Sequence, residues 1–201
     1  MTDYFLLLNE PRRPWLDSDR LKEKFLQLSA TVHPDRVHGL ADAERAAAQD
    51  RYVELNAAYT HLREPRDRLR HFLQLELGAL PRDIQRIPPS LTELFMLVGQ
   101  LCRETDALLL EKARITSPLL KVQCFERGQE QSDQLTTLLR DLNSRRESIV
   151  DQLKETDAKW SAASETDRAH QLEQLQSVLH LFGFYDRWIA QLHDRVARLS
   201  F

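Results

Sequence analysis

Pro34 interrupts two stretches of helical periodicity, and so fixes how they can meet. Before it, Leu21, Phe25, Leu28 and Val32 recur at i, i+4, i+7 and i+11, the spacing of one helix face. After it, Ala48, Tyr52, Leu55, Tyr59 and Leu62 share a face of a second helix, expected from about Ala41 to Leu62. Proline has a fixed φ and no amide proton, and it biases the residue before it away from helical dihedrals. The first helix is therefore expected to stop at about Val32, after a start capped by Asp17 or Ser18. A short connection makes the two helices antiparallel neighbours. The pattern predicts a helical hairpin whose stiff, exposed corner presents the ring of His33 and the carboxylate of Asp35.

The composition extends this reading to the whole chain. There are only five glycines, and β-branched residues are sparse beside Leu, Ala, Gln, Glu, Lys and Arg, a mix that predicts an all-α fold. The formal net charge of −3 argues against a nucleic-acid binder. Runs of about 18 apolar residues are lacking, so no membrane span is expected. The first residues lack a basic stretch followed by a long apolar core, so no signal peptide is expected and the cytoplasm is the expected location. Cys102 and Cys124 stand alone, without metal-ligand spacing or a disulfide framework, and read as packed thiols. His38 lies near His33, but further ligands for a metal are not evident. His61, His71, His170, His180 and His193 read as surface or interface residues. No nucleophile–base set, paired-acid cleft or glycine-rich phosphate loop can be argued from spacing. The expectation is a protein that is not an enzyme, holds no cofactor or metal, and is a monomer.

Along the chain, residues 3–8 form a short first helix anchored by Tyr4, Phe5, Leu7 and Leu8, and Pro11 and Pro14 mark a loop. A helix after Pro65 turns Leu69, Phe72 and Leu73 inward, and Gly78 can supply its left-handed cap. Residues 79–89 form a proline-rich linker that divides a domain over 1–78 from another over 90–201. Beyond the linker three helices are expected. Ser90 and Glu93 can form a capping box, Ser117 precedes Pro118 at a first helical position, and Ser164 with Asp167 opens the last helix. Leu135, Leu138, Leu142, Ile149 and Leu153 form the core stripe of the second helix. Leu172, Leu175, Leu179, Phe182, Ile189, Leu192 and Val196 form that of the third, and short loops give an antiparallel three-helix bundle. Leu94 to Val98 are five consecutive apolar residues, more than one helix face can bury. With Leu94, Val98 and Leu101 inward, Phe95 and Met96 lean outward as a candidate docking patch.

These residues carry a resemblance. Residues 3–78 resemble a J-domain, the module that stimulates ATP hydrolysis by DnaK-type chaperones, through Tyr4, Leu7, His33-Pro34-Asp35 and the run LNAAYTHLREPRDRLRHF, with Asn56, Ala57, Tyr59, Leu62, Pro65 and Arg68. The segment RDRLRHFLQLELG, the linker after it and an all-helical second domain with LFMLVGQLCRE and FYDRWIAQL are similar to the HscB family of iron–sulfur cluster assembly. The resemblance implies a co-chaperone that stimulates a DnaK/HscA-type ATPase and delivers an iron–sulfur scaffold protein of the IscU type. It implies docking through His33, Pro34 and Asp35, with Arg20, Lys22, Lys24 and Arg36 as the positive face. It also implies a client surface of Phe95, Met96, Gln100 and Glu104, with Phe184 as the aromatic from the last helix. Gln27 and Thr31 stand where many J-domains are basic, which fits a dedicated chaperone partner. Two other readings stay open: a J-protein delivering a different client, and a helical adaptor outside chaperone function.

Overall fold

The computed structural model describes residues 2–37, 39, 41–79, 81, 86–160 and 164–200. His38 and five residues of the expected linker, 80 and 82–85, lie outside the described residues. Helix is the only regular secondary structure among the described residues, with no strand among them. Helices α1 (Tyr4–Leu7), α2 (Ser18–Thr31), α3 (Pro34–Val37), α4 (Asp42–Arg63) and α5 (Pro65–Leu77) come first. A 3₁₀ turn (Pro89–Leu91) then leads into α6 (Thr92–Arg114), α7 (Pro118–Trp160) and α8 (Glu165–Ser200). By contacts the chain forms two compact units, residues 1–82 with 150–179, and residues 83–149 with 180–201. Chain order places 150–179 with the second domain. The distal stretches of two long helices instead pack among the first unit's residues, which linear patterning does not reveal.

In the first unit, Asp17 caps α2 by accepting the Arg20 amide at 2.9 Å. At the other end the Val32 amide donates to Ser29 at 3.2 Å, a tightened last turn that stops the helix where Pro34 requires. Helices α2 and α4 lie antiparallel. Phe25 stacks on Tyr59 at 4.4 Å between centroids, and His33 meets Tyr52 edge-on at 5.6 Å, so rising numbers on one helix meet falling numbers on the other. The stacked pair is worth about 1 kcal/mol beyond its burial. Leu21, Leu55, Ala58 and Leu62 fill the space between the helices. The one-turn α3 lies within what the sequence reads as a plain corner. Gly78 ends α5 at φ 68°, the left-handed value that glycine adopts without a Cβ penalty.

Two buried polar groups tie this unit together. Arg68 is 2% exposed and donates to the carbonyls of Pro14, at 3.3 Å, and Leu62, at 2.8 Å. Burial lowers its pKa to about 10, against the pull of Asp157 and Glu64. Asp157 of α7, 3% exposed, accepts from Arg13 through both carboxylate oxygens and from the Trp15 amide. Nearby, Trp160 meets Phe72 edge-on at 5.0 Å, and the Arg168 guanidinium lies over the Trp160 ring, 5.4 Å from its centre.

His71 is buried, not at the surface. It stacks on Phe5 and meets the tilted ring of Tyr4, and its Nε2 accepts the Tyr4 amide at 3.1 Å, so the ring is neutral there. Burial lowers its pKa from the ordinary 6.5; Asp3 opposes the shift, while His61 and Arg12 add to it. The unfolded chain therefore binds more protons than the folded one below that value. This contribution to stability is complete above about pH 6.5 and is lost as pH falls through the lowered folded pKa. Urea unfolding at pH 7.5 and 5.5 should show a larger acid-induced loss for the native chain than for His71→Gln, which keeps an acceptor but cannot titrate. Equal losses would contradict the assignment.

The second unit is an up-down-up bundle. Arg127 of α7 bonds Glu111 of α6, and further along Gln131 bonds Thr105, which makes α6 and α7 antiparallel. Arg195 of α8 bonds Asp106 and Lys112 bonds the Leu199 carbonyl, so α6 and α8 run parallel. Val98, Leu101, Leu135, Leu142, Phe182 and Leu192 are in its core. Ser90 does not act in a capping box: the 3₁₀ turn supplies the entry to α6, whose flanking Leu91 has no capping side chain. Ser164 does cap α8, accepting the Asp167 amide at 3.3 Å.

Candidate functional site

The corner between α2 and α4 has a defined internal geometry. The Asp35 amide donates to His33 Nδ1 at 3.2 Å, and the Arg36 amide donates to the His33 carbonyl at 2.9 Å. With Nδ1 accepting, the neutral imidazole carries its proton on Nε2. The Asp35 carboxylate is 3.6 Å from the same Nδ1. The His33 side chain is 43% exposed and that of Asp35 is 89% exposed. Pro34 opens α3 and holds the chain in its first turn. Tyr52 backs one edge of the imidazole. The result is a preorganised donor and a carboxylate offered side by side to solvent.

The basic residues expected around the corner divide into two groups. Arg20, Lys22 and Arg36 are exposed. Lys24 is engaged within the chain: its ammonium pairs with Glu10 at 2.8 Å and donates to the Asn9 carbonyl at 2.7 Å. It fastens the loop after α1 to α2, in addition to any role on the surface. Linear patterning carries no signal for this pair, because Glu10 lies fourteen residues before Lys24 and meets it only once α1 and α2 are placed.

On α6 the five apolar residues separate as their spacing predicts. Leu94 and Val98 are buried with Leu101, while Phe95, Met96 and Leu97 are exposed, Met96 to 59%. One turn on, Gln100 and Glu104 are exposed and bonded to each other at 2.9 Å. Leu97 was not among the expected surface residues, although the same helical spacing places it at the patch edge. Phe184 lies elsewhere than expected. It is 4% exposed, packed against Trp188 at 5.7 Å with the Arg187 guanidinium 4.9 Å from its ring centre. Trp188, also buried, is 6.4 Å from Phe95. The aromatic of the last helix therefore supports the patch from beneath, through Trp188, and Phe95 is the ring at the surface. Cys102 and Cys124 are both buried free thiols, and burial pushes the Cys102 thiol above its usual pKa.

No protein-family model matches the sequence. Among solved structures, the chain is similar to the crystal structure of human co-chaperone protein HscB, with a TM-score of 0.56 and 16% identity over 98% of this chain and 81% of that one. It is also similar to chaperone HscB from Vibrio cholerae, with a TM-score of 0.45 and 22% identity over 95% of this chain and 99% of that one. At 16% identity the human likeness speaks for architecture alone. The chain has the all-α fold of human HscB, with an exposed His33–Asp35 corner on one unit and an exposed Phe95–Met96–Leu97 patch on the other.

Proposed function

We propose that this chain is an HscB-type J-protein, a co-chaperone of iron–sulfur cluster assembly. The His33-Pro34-Asp35 corner docks on the nucleotide-binding part of a DnaK/HscA-type chaperone and stimulates its ATP hydrolysis. The Phe95–Met96 surface of α6 carries the client, an iron–sulfur scaffold protein of the IscU type. The observation that carries this reading is the solvent-facing corner, stiffened by Tyr52 and by the Phe25–Tyr59 stack, within the fold of a co-chaperone. The chain itself performs no chemistry on ATP. It contributes a rigid contact that favours the hydrolysing state of its partner.

Arg20, Lys22 and Arg36 steer this encounter. Rim charges set association rate and salt dependence more than lifetime. Stimulation should therefore fall as ionic strength rises past the range where the screening length drops below about 10 Å. Lys24 contributes less, since its charge is already met by Glu10. The decisive experiment is single-turnover ATP hydrolysis by a purified HscA-type chaperone with this chain and the scaffold protein. A saturable rise in rate is expected, larger with the scaffold present. Failure to stimulate any DnaK-type chaperone would remove the reading.

The client surface has its own test. Met96→Ser removes an exposed apolar side chain that the bundle core does not use, so helicity should be unchanged. Scaffold affinity should drop about tenfold, the scale of a truncated interface anchor. Titration calorimetry that returns the native affinity would rule out this surface. Phe184→Ser is a poorer probe, because emptying a buried aromatic site costs about 3 kcal/mol of stability on its own.

A further inference from the structure

The α6 face that carries Met96 leads into a groove between α6 and α7. Its far end is apolar and uncovered. Leu110 and Leu120, which line it beside Ala107 and Ile115, are 62% and 49% exposed. Leu110 and Leu120 line an open cleft of about 510 Å³, with Arg114 at its rim. Ala107 and Glu111 continue from it into a second cleft of about 360 Å³, whose charged residues are Glu104, Glu111, Glu130 and Arg127. Arg127 already holds Glu111 at 2.7 Å. Among the described residues Glu104 accepts a neutral amide from Gln100, and neither it nor Glu130 has an ion-pair partner. The groove is thus apolar at the tip and acidic about 9 Å along, six residues at 1.5 Å each.

That order of chemistry selects its occupant. We propose that the groove takes a basic amphipathic helix of the client. Apolar side chains at one end of this helix seat on Leu110 and Leu120, and Lys or Arg side chains two turns along meet Glu104 and Glu130. The inference rests on the client reading of the Met96 surface and extends it, since Glu104 belongs to both stretches. Desolvating the apolar tip supplies the affinity, and the carboxylates set orientation, because a helix entering the wrong way places its cations on the apolar end beside Arg114.

The test uses the full chain and two labelled helical peptides of 16 residues. Both carry three Leu on one face of one end; one has Lys and the other Glu at the positions two turns along. By fluorescence anisotropy at low salt, the Lys peptide should bind at least tenfold more tightly than the Glu peptide, with the gap narrowing at high salt. Leu120→Asp and Glu130→Lys should each weaken the Lys peptide tenfold or more. Both sites are exposed, so the helical circular dichroism should stay native. Equal binding of the two peptides, or a Glu130→Lys chain that binds as the native one does, would overturn the proposal. So would a native dimer in sedimentation that Leu120→Asp dissolves, since a second copy would then occupy the groove. Titration of the purified scaffold separates the two readings. Weakening by both Met96→Ser and Glu130→Lys supports the groove as part of the client site. Weakening by Met96→Ser alone overturns the groove and leaves the client surface standing. Weakening by neither removes the client reading and this occupant with it.

Discussion

His33→Gln is expected to abolish ATPase stimulation while the protein stays folded. The imidazole is nearly half exposed, and its aromatic contact is one edge-on approach to Tyr52. Its hydrogen bond from the Asp35 amide can be taken over by a glutamine carbonyl oxygen. The cost in stability should stay near 0.5 kcal/mol, the range of surface changes that break no buried network. What glutamine cannot reproduce is the flat ring with a directed Nε2 proton beside a carboxylate. Thermal unfolding should shift by no more than about 2 °C at this chain length, while single-turnover ATP hydrolysis with the chaperone returns to its unassisted rate. A folded His33→Gln protein that stimulates as the native chain does would end the proposed mechanism. A variant that unfolds would instead mean that the corner belongs to the core, against its exposure.

The largest expected loss of stability follows from Asp157→Asn. This carboxylate is 3% exposed and receives Arg13 through two oxygens, together with the Trp15 amide. It is also the main countercharge for Arg68, which is buried and donates to the carbonyls of Pro14 and Leu62. Removing one partner of a buried ion pair costs about 3–5 kcal/mol, and with Arg13 itself 38% exposed and Glu64 still acting on Arg68 the lower end, about 3 kcal/mol, is expected. Asparagine preserves the shape, so the loss reports charge and not a cavity. Urea unfolding followed by Trp fluorescence should show the midpoint falling with little change in slope. Arg68→Met should be costly for the same reason. The double variant should lose less than the sum of the two, because the two groups form one network. A loss below about 1 kcal/mol for Asp157→Asn, the value of an exposed pair, would show that solvent screens this network.

What the sequence makes legible is local or periodic. The end of α2 at Val32 follows from Pro34, and the left-handed cap at Gly78 from the absence of a Cβ. The division of Leu94 and Val98 from Phe95 and Met96 follows from 3.6 residues per turn. What it conceals depends on which distant residues meet. Lys24 looks like one more cation on a solvated face until Glu10 and Asn9 are brought beside it by the turn after α1. His71 looks like a surface histidine until α1 places the Tyr4 amide on it. Phe184 sits in a polar-looking run, FYDRW, whose aromatic residues all turn inward in the bundle. The expected capping box at Ser90 fails because Pro88 and Pro89 impose a 3₁₀ turn first. Helix periodicity tells which residues hide, and only tertiary placement tells what they hide against.

The stacked rings of Phe25 and Tyr59 have a bearing on how long any complex at the corner should last. Since they stop the two rods from opening, the tip has little freedom left to surrender when a partner grips it. A small, weak contact can then form at once and dissolve as readily, which suits the transient docking proposed for this corner.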